Sequence, residues 1–256
     1  MIEQLQYQLK SVRLSGMANH LAVRLQEAKA NDLPYETFLQ NLLEDELNRR
    51  RDRLMERRLK LARFPYLHTM DAFDFSFNPA LNKRMIKELA TIAFITRREN
   101  VLLIGPPGVG KTHLAVAFGL EAVQNGFSVL YRSVFDTAQD LYDDPEYTNL
   151  GKYLKPHLLI LDELGMKSLP NSAAESLLEI IHRRHRQQST IIATNRPIED
   201  WGKLLGDNAA TSAILDRFLE RVHIIKITGR SYRLKNLNNP EKSEHIKDLE
   251  MKSDNV

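Results

Sequence analysis

The chain has 256 residues, 43% of them hydrophobic, with a net charge of +3 and no cysteine. That length fits one main core plus a smaller piece, and the lack of cysteine excludes disulfides and thiolate metal sites. No apolar run approaches the roughly 18 residues of a membrane span, and Met1-Ile-Glu-Gln is no signal peptide, so no membrane association and a cytoplasmic location are expected.

Residues 1–62 read as a small all-α domain. Ile2, Leu5, Leu9 and Val12 share one helical face, and Met17, Leu21, Leu25 and Ala28 another. Asn31-Asp32-Leu33-Pro34 breaks the run, with Pro34 suited to a first helical turn. Phe38, Leu39, Leu42, Leu43 and Leu47 then continue at helical spacing. The segment closes on Arg49-Arg50-Arg51-Asp52-Arg53 and Arg57-Arg58-Leu59-Lys60, which is either a solvated face or a contact for nucleic-acid phosphates.

Arg63-Phe64-Pro65 is a linker into a second domain, residues 63–234. Phe73-Asp-Phe-Ser-Phe-Asn-Pro79 reads as an aromatic turn, for core packing or for walling a base, before a helix near 80–98. From Val101 apolar strands alternate with helices. The strands are placed at Val101–Ile104, Phe127–Tyr131, Leu158–Leu161, Thr190–Thr194 and His223–Ile227, and the helices near 134–142, 171–187 and 211–221. Near-continuous β-branched runs of this kind indicate a parallel sheet covered on both faces. Polar residues 235–256 are expected to form a disordered tail.

The chemistry centres on Gly105-Pro106-Pro107-Gly108-Val109-Gly110-Lys111-Thr112, with a buried strand before it and a helix from His113 after it. Gly105, Gly108 and Gly110 are expected to take positive φ and let backbone amides converge on phosphate oxygens at a helix N-terminus. Lys111 would reach the β- and γ-phosphates and the Thr112 hydroxyl would hold Mg²⁺. ATP with Mg²⁺ is therefore the expected ligand, bound by residues Gly105 through His113.

Leu158-Leu-Ile-Leu-Asp162-Glu163 delivers two carboxylates at the C-terminal edge of a strand, where ligands of open α/β sheets bind. Alternation along an extended chain is expected to point them apart, Asp162 to the metal and Glu163 to the attacking water. Asn195 closes the fourth strand and would hold that water or the γ-phosphate. Arg217, in Ile214-Leu-Asp-Arg-Phe218, is a candidate arginine finger, or else a surface arginine paired with Asp216 or Glu220. Arg230 and Arg233 are candidates for a further γ-phosphate sensor. In His182-Arg-Arg-His185-Arg a basic helix end near a polyanion is favoured over a metal site, and a merely solvated end over both, with Arg183, Arg184 and Arg186 joining the possible DNA contacts.

Together the GPPGVGKT loop, the LLILDE strand, the ATN end and the LDRF box resemble the AAA+ ATPases of the helicase-loader and initiator branch. Residues 34–43, Arg63-Phe-Pro, Phe73–Pro79 and Gly229-Arg-Ser-Tyr-Arg233 are similar to the IstB family of transposition helper ATPases, over nearly the whole chain to about residue 235. The resemblance implies an α/β AAA+ P-loop NTPase with a five-stranded parallel sheet in the order 5-1-4-3-2. It also implies an ATP-dependent oligomer on double-stranded DNA that recruits and stimulates an IstA-like transposase. Roughly thirty residues follow the fifth strand, too few for the usual helical lid. A DnaC-like helicase loader is the alternative function, and a small-molecule kinase a more distant one.

Overall fold

A computed structural model of the chain describes residues 1–142, 150–166, 171–205 and 209–232. Arg233 and the tail from residue 235 lie outside the described residues. The chain divides into two compact units, Met1–Lys60 and Leu61–Val256.

Three helices build the first unit: α1 (Ile2–Ser11), α2 (Ser15–Ala30) and α3 (Tyr35–Ala62). Its core is small. Met17, Leu21 and Leu42 are buried, with Leu9, Leu14, Leu25 and Phe38 packed around them. The expected apolar face of α1 contributes only Leu9 to this cluster, and Ile2, Leu5 and Val12 remain exposed. Polar chemistry substitutes for the missing apolar area. Glu46 on α3 is buried, and its Oε2 accepts from the backbone N–H of Gly16 and Met17 at 2.6 and 3.3 Å, capping the first turn of α2. A Cβ at Gly16 would stand 2.6 Å from the Cα of Glu46, so glycine there is what allows the two helices to meet.

Burial alone would raise the Glu46 carboxyl, but the Arg50 guanidinium and the two backbone donors outweigh it and hold it below the ordinary carboxylate value. A folded-state value below the unfolded one gives stability that is present above the ordinary carboxylate range and lost as pH falls. Protection of the Gly16 and Met17 amides against hydrogen exchange is expected to collapse on acidification, and Glu46→Gln to remove that pH dependence. Equal acid sensitivity of those amides in both proteins would contradict the capping role.

In the second unit α4 (Lys83–Ala90) and α5 (Ala93–Thr96) lead into β1 (Asn100–Ile104) and α6 (Lys111–Gln124). Next come β2 (Val129–Ser133), α7 (Val134–Tyr142), α8 (Leu150–Leu154), β3 (Leu158–Leu164) and α9 (Asn171–Arg184). The chain continues through β4 (Ser189–Thr194), a 3₁₀ turn (Ile198–Asp200), α10 (Trp201–Leu205), α11 (Ala209–Leu219) and β5 (Val222–Lys226). All strand pairs are parallel, in the order β2-β3-β4-β1-β5. This is the AAA+ order expected from the sequence, written from the other edge.

The central strands are buried on both faces, which is why they read as unbroken apolar runs. Alternation along β3 assigns the faces. Leu159 and Leu161 join the cluster formed by α7, α9, α10 and α11, with Trp201 and Phe218 at its heart. Ile160 points the other way, its Cδ1 reaching Gly119 of the deeply buried α6.

Several boundaries differ from expectation, two of them for a clear local reason. The helix anticipated over 80–98 is broken at Ile92, whose φ of 64° stops α4 and restarts the chain as α5; its burial holds the unfavourable conformation. Asn82 Oδ1 caps α4 by accepting from Met85 N. β2 begins at Val129 rather than Phe127 because α6 ends in a Schellman motif: Phe127 N–H bonds Ala122 O and Gly126 N–H bonds Val123 O. That commits Phe127 to the helix end. At the basic end of α9, Arg184 as a possible DNA contact is corrected too. Arg184 is 2% exposed and its guanidinium donates to the carbonyls of Tyr153, Leu154, Pro156 and Ser189 and to Thr190 Oγ1. It pins α8 and α9 to the base of the sheet and is not available to DNA. Arg183 pairs with Glu179, and Arg186 with Glu220.

Candidate nucleotide-binding site

β1 ends against β4 and β5, where Gly105 N–H bonds Thr194 O and Ile227 N–H bonds Ile104 O. The chain then turns through the glycine-rich loop into α6. Gly108 and Gly110 have φ of 80° and 101°, as expected, but Gly105 does not take positive φ. Its role is close approach, since a Cβ there would overlap the carbonyl oxygen of Ile227. Lys111 Nζ donates to the carbonyls of Gly105 and Pro106, each at 2.8 Å, so the ammonium is held within the loop.

Thr112, in the first turn of α6, donates its hydroxyl to Asp162 Oδ2 at 2.6 Å. Asp162 is buried, and its Oδ1 accepts from the Glu163 N–H at 2.8 Å. A donor that the sequence reading missed completes the set: Tyr131 Oη also donates to Asp162 Oδ2, at 2.8 Å. Burial first, then the neighbouring Asp162 charge, push the Tyr131 phenol far above its ordinary value, so it stays a proton donor. The Thr112 hydroxyl and the Asp162 carboxylate offer hard oxygen donors beside the glycine-rich loop. Magnesium typically takes one or two carboxylates there and completes its shell with phosphates and water, so the residues fit that ion.

Glu163 points differently, but not through simple strand alternation. The β3–β4 register shifts between Leu161 and Leu164, and Glu163 has φ of 67°. This bulge turns the carboxylate out to an exposed position while Asp162 stays buried. Positive φ in a residue with a Cβ is strain of the kind found at functional sites.

A cleft of about 80 Å³ brings together Lys111, Thr112, Asp162, Glu163 and Asn195, with Pro107, Gly108 and Met166 around them. The Oδ1 of Asn195 is buried and has no hydrogen-bond partner among the described residues, leaving an acceptor for a water proton. Beside it lies a larger cavity of about 360 Å³, walled by Tyr66, His68, Phe73, Phe77 and Tyr232 and floored by loop residues Gly108–His113. The aromatic turn at 73–79 therefore does line a cavity as well as packing. His113 Nε2 donates to Thr69 O at 3.0 Å, and its ring stacks on His68 with centroids 4.6 Å apart. Burial, ahead of the other influences, lowers the His113 pKa. Tyr232 N–H bonds Gly108 O, and its ring meets Phe77 edge-on, so the Gly229–Tyr232 segment lies directly against the loop. Arg230 of that segment is exposed.

Arg217 is not brought to this site. It lines neither cavity, and its Nη1 lies 2.9 Å from His182 Nδ1 on α9. A guanidinium can only donate, so the imidazole nitrogen is the acceptor. The pairing expected with Asp216 or Glu220 is not the one adopted.

A family profile described as IstB-like ATP binding protein matches residues 7–240. The chain belongs to this family. It is 37% identical over 238 residues to an insertion sequence IS21 ATP-binding protein of Pseudomonas aeruginosa, covering 91% of this chain and 90% of the relative. Identity to the IS5376 ATP-binding protein of Geobacillus stearothermophilus is 36% over 228 residues, covering 88% and 91%. Among solved structures, the DnaC helicase loader aligns with a TM-score of 0.51 at 24% identity, covering 65% of this chain and 96% of that one. DnaI aligns with a TM-score of 0.53 at 20% identity, covering 67% and 92%. These likenesses show that this IstB-like chain has the AAA+ fold. Among the described residues no helix is long and apolar enough to cross a membrane.

Proposed function

We propose that this chain is a magnesium-dependent ATPase that assembles with ATP on double-stranded DNA and recruits and stimulates an IstA-like transposase. The observation that carries the catalytic part is the convergence of Lys111, Thr112, Asp162, Glu163 and Asn195 on one cleft at the C-terminal edge of the sheet. Lys111 binds β- and γ-phosphate oxygens, Thr112 and Asp162 hold magnesium, Glu163 polarises the attacking water, and Asn195 orients it. Magnesium supplies charge neutralisation on the phosphates when bound. The aromatic cavity beside the loop suits a flat purine base. Lys111→Ala is expected to weaken ATP binding by about 10–100-fold, the cost of losing charge-assisted hydrogen bonds; wild-type affinity by calorimetry would sink the assignment.

For DNA, the supporting feature is a stripe on α3. Arg53, Arg57 and Lys60 recur at helical spacing and are exposed, as is Arg51, whereas Arg50 is engaged by Glu46 and the Arg13 carbonyl. Such groups contact phosphates without reading bases. Duplex binding with ATP present is expected to be nearly independent of sequence, with a log–log salt slope near −0.9 per neutralised phosphate. Replacing Arg51, Arg53 and Arg57 with alanine should flatten that slope by about 2–3 and leave ATP affinity unchanged. Parallel salt titrations for wild type and variant would reject the stripe as a DNA contact. A helicase loader would instead lose helicase capture in the same variant while duplex binding barely changed.

A further inference from the structure

Asp162 receives two hydroxyl donors on one oxygen, and only one of them belongs to the phosphate loop. Tyr131 comes from β2, a strand none of whose residues lines the cleft. Its position is fixed by the sheet. Tyr131 pairs with Ile160 and Ser133 with Asp162, so residues two apart on these neighbouring strands share a face. That face is the one covered by α6, where Ile160 meets Gly119 and where Thr112 sits in the first turn. The phenol thus reaches Asp162 Oδ2 from the neighbouring strand, on the sheet face that α6 covers.

We propose that Tyr131 is a positioning residue for the magnesium site, holding the Asp162 carboxylate in place through the Tyr131 Oη–Asp162 Oδ2 hydrogen bond at 2.8 Å. This rests on Asp162 being the metal-binding carboxylate. The Thr112 hydroxyl that donates to Asp162 would itself be a ligand of the ion. The Glu163 N–H on Oδ1 comes from the strained bulge at the end of β3. Tyr131 is the donor independent of both. Its ring cannot turn away without leaving a buried carboxylate short of a partner, which is costly. Outer partners of metal-binding groups are commonly responsible for 10–100-fold in metal affinity.

The test is Tyr131→Phe in the full-length chain, which deletes one oxygen and keeps the ring. A fluorescent ATP analogue is titrated first in EDTA and then at fixed nucleotide with increasing magnesium. The magnesium concentration at half-saturation is expected to rise about 10–100-fold, while nucleotide affinity in EDTA stays within about twofold of wild type. A half-saturation within about twofold of wild type overturns the proposal. Tyr131→Leu, which also loses ring packing, separates position from stability. Its magnesium shift should match that of Tyr131→Phe whatever its melting temperature, and a shift that tracks melting temperature instead counts against a positioning role. Asp162→Asn serves as the reference. If it leaves magnesium dependence intact, the assignment of Asp162 itself has failed; if it shifts and Tyr131→Phe does not, only the role of Tyr131 has.

Discussion

Arg217→Ala is expected to bind ATP with near wild-type affinity and to hydrolyse it about 10³–10⁵-fold more slowly, the range associated with an arginine finger. The geometry makes this a statement about assembly. Arg217 is exposed on α11, lines neither cavity at the phosphate loop, and is held 2.9 Å from His182 of its own chain. Within its own chain it does not line the nucleotide cleft, so a role in hydrolysis points to the site of a neighbour. Mixing supplies the decisive measurement. Lys111→Ala keeps its own Arg217 but lacks the phosphate-binding ammonium, whereas Arg217→Ala keeps its nucleotide site. Interfaces that place an Arg217→Ala site opposite a Lys111→Ala neighbour should recover turnover in a steady-state phosphate-release assay. Full activity of Arg217→Ala alone would reject the finger and leave Arg217 as the partner of His182.

Much of the fold was legible because parallel strands buried on both faces leave continuous apolar runs, as at Leu158–Leu161 and Thr190–Ala193. The glycine-rich loop was legible for a different reason: its glycines sit where side chains cannot. What escaped the sequence is mostly tertiary. The break at Ile92 lies in a β-branched residue that carries no local signal for positive φ. Asp162 and Glu163 stand out in the sequence by their position at a strand end, but the bulge that separates them depends on pairing with β4. Tyr131 looks like ordinary strand filler until β2 is registered against β3. Arg184 illustrates the opposite error. In a row with Arg183 and Arg186 it reads as surface charge, yet it is consumed by buried carbonyl groups that only the fold assembles.

Glu163→Gln is expected to retain ATP and to slow its turnover by about 10²–10⁴, the usual contribution of a general base. The substitution keeps size and the capacity to accept a hydrogen bond but removes the negative charge that draws a proton from water. The local backbone sharpens the expectation. Glu163 holds φ at 67° beside a register shift in β3, and the same bulge leaves Asp162 buried against Thr112 and Tyr131. Glutamine tolerates that conformation no worse than glutamate, so the contacts of Asp162 with Thr112 and Tyr131 should be unaffected. Magnesium dependence of nucleotide binding should therefore match wild type while single-turnover hydrolysis falls. The ATP-bound assembly on duplex DNA should accumulate as a result, since hydrolysis is what would release it. Glu163→Asp offers the complementary arm: the charge remains, one methylene shorter, so it should lose less than Glu163→Gln if charge matters more than reach. Turnover of Glu163→Gln close to wild type, with ATP binding intact, would move the base to another group in the cleft.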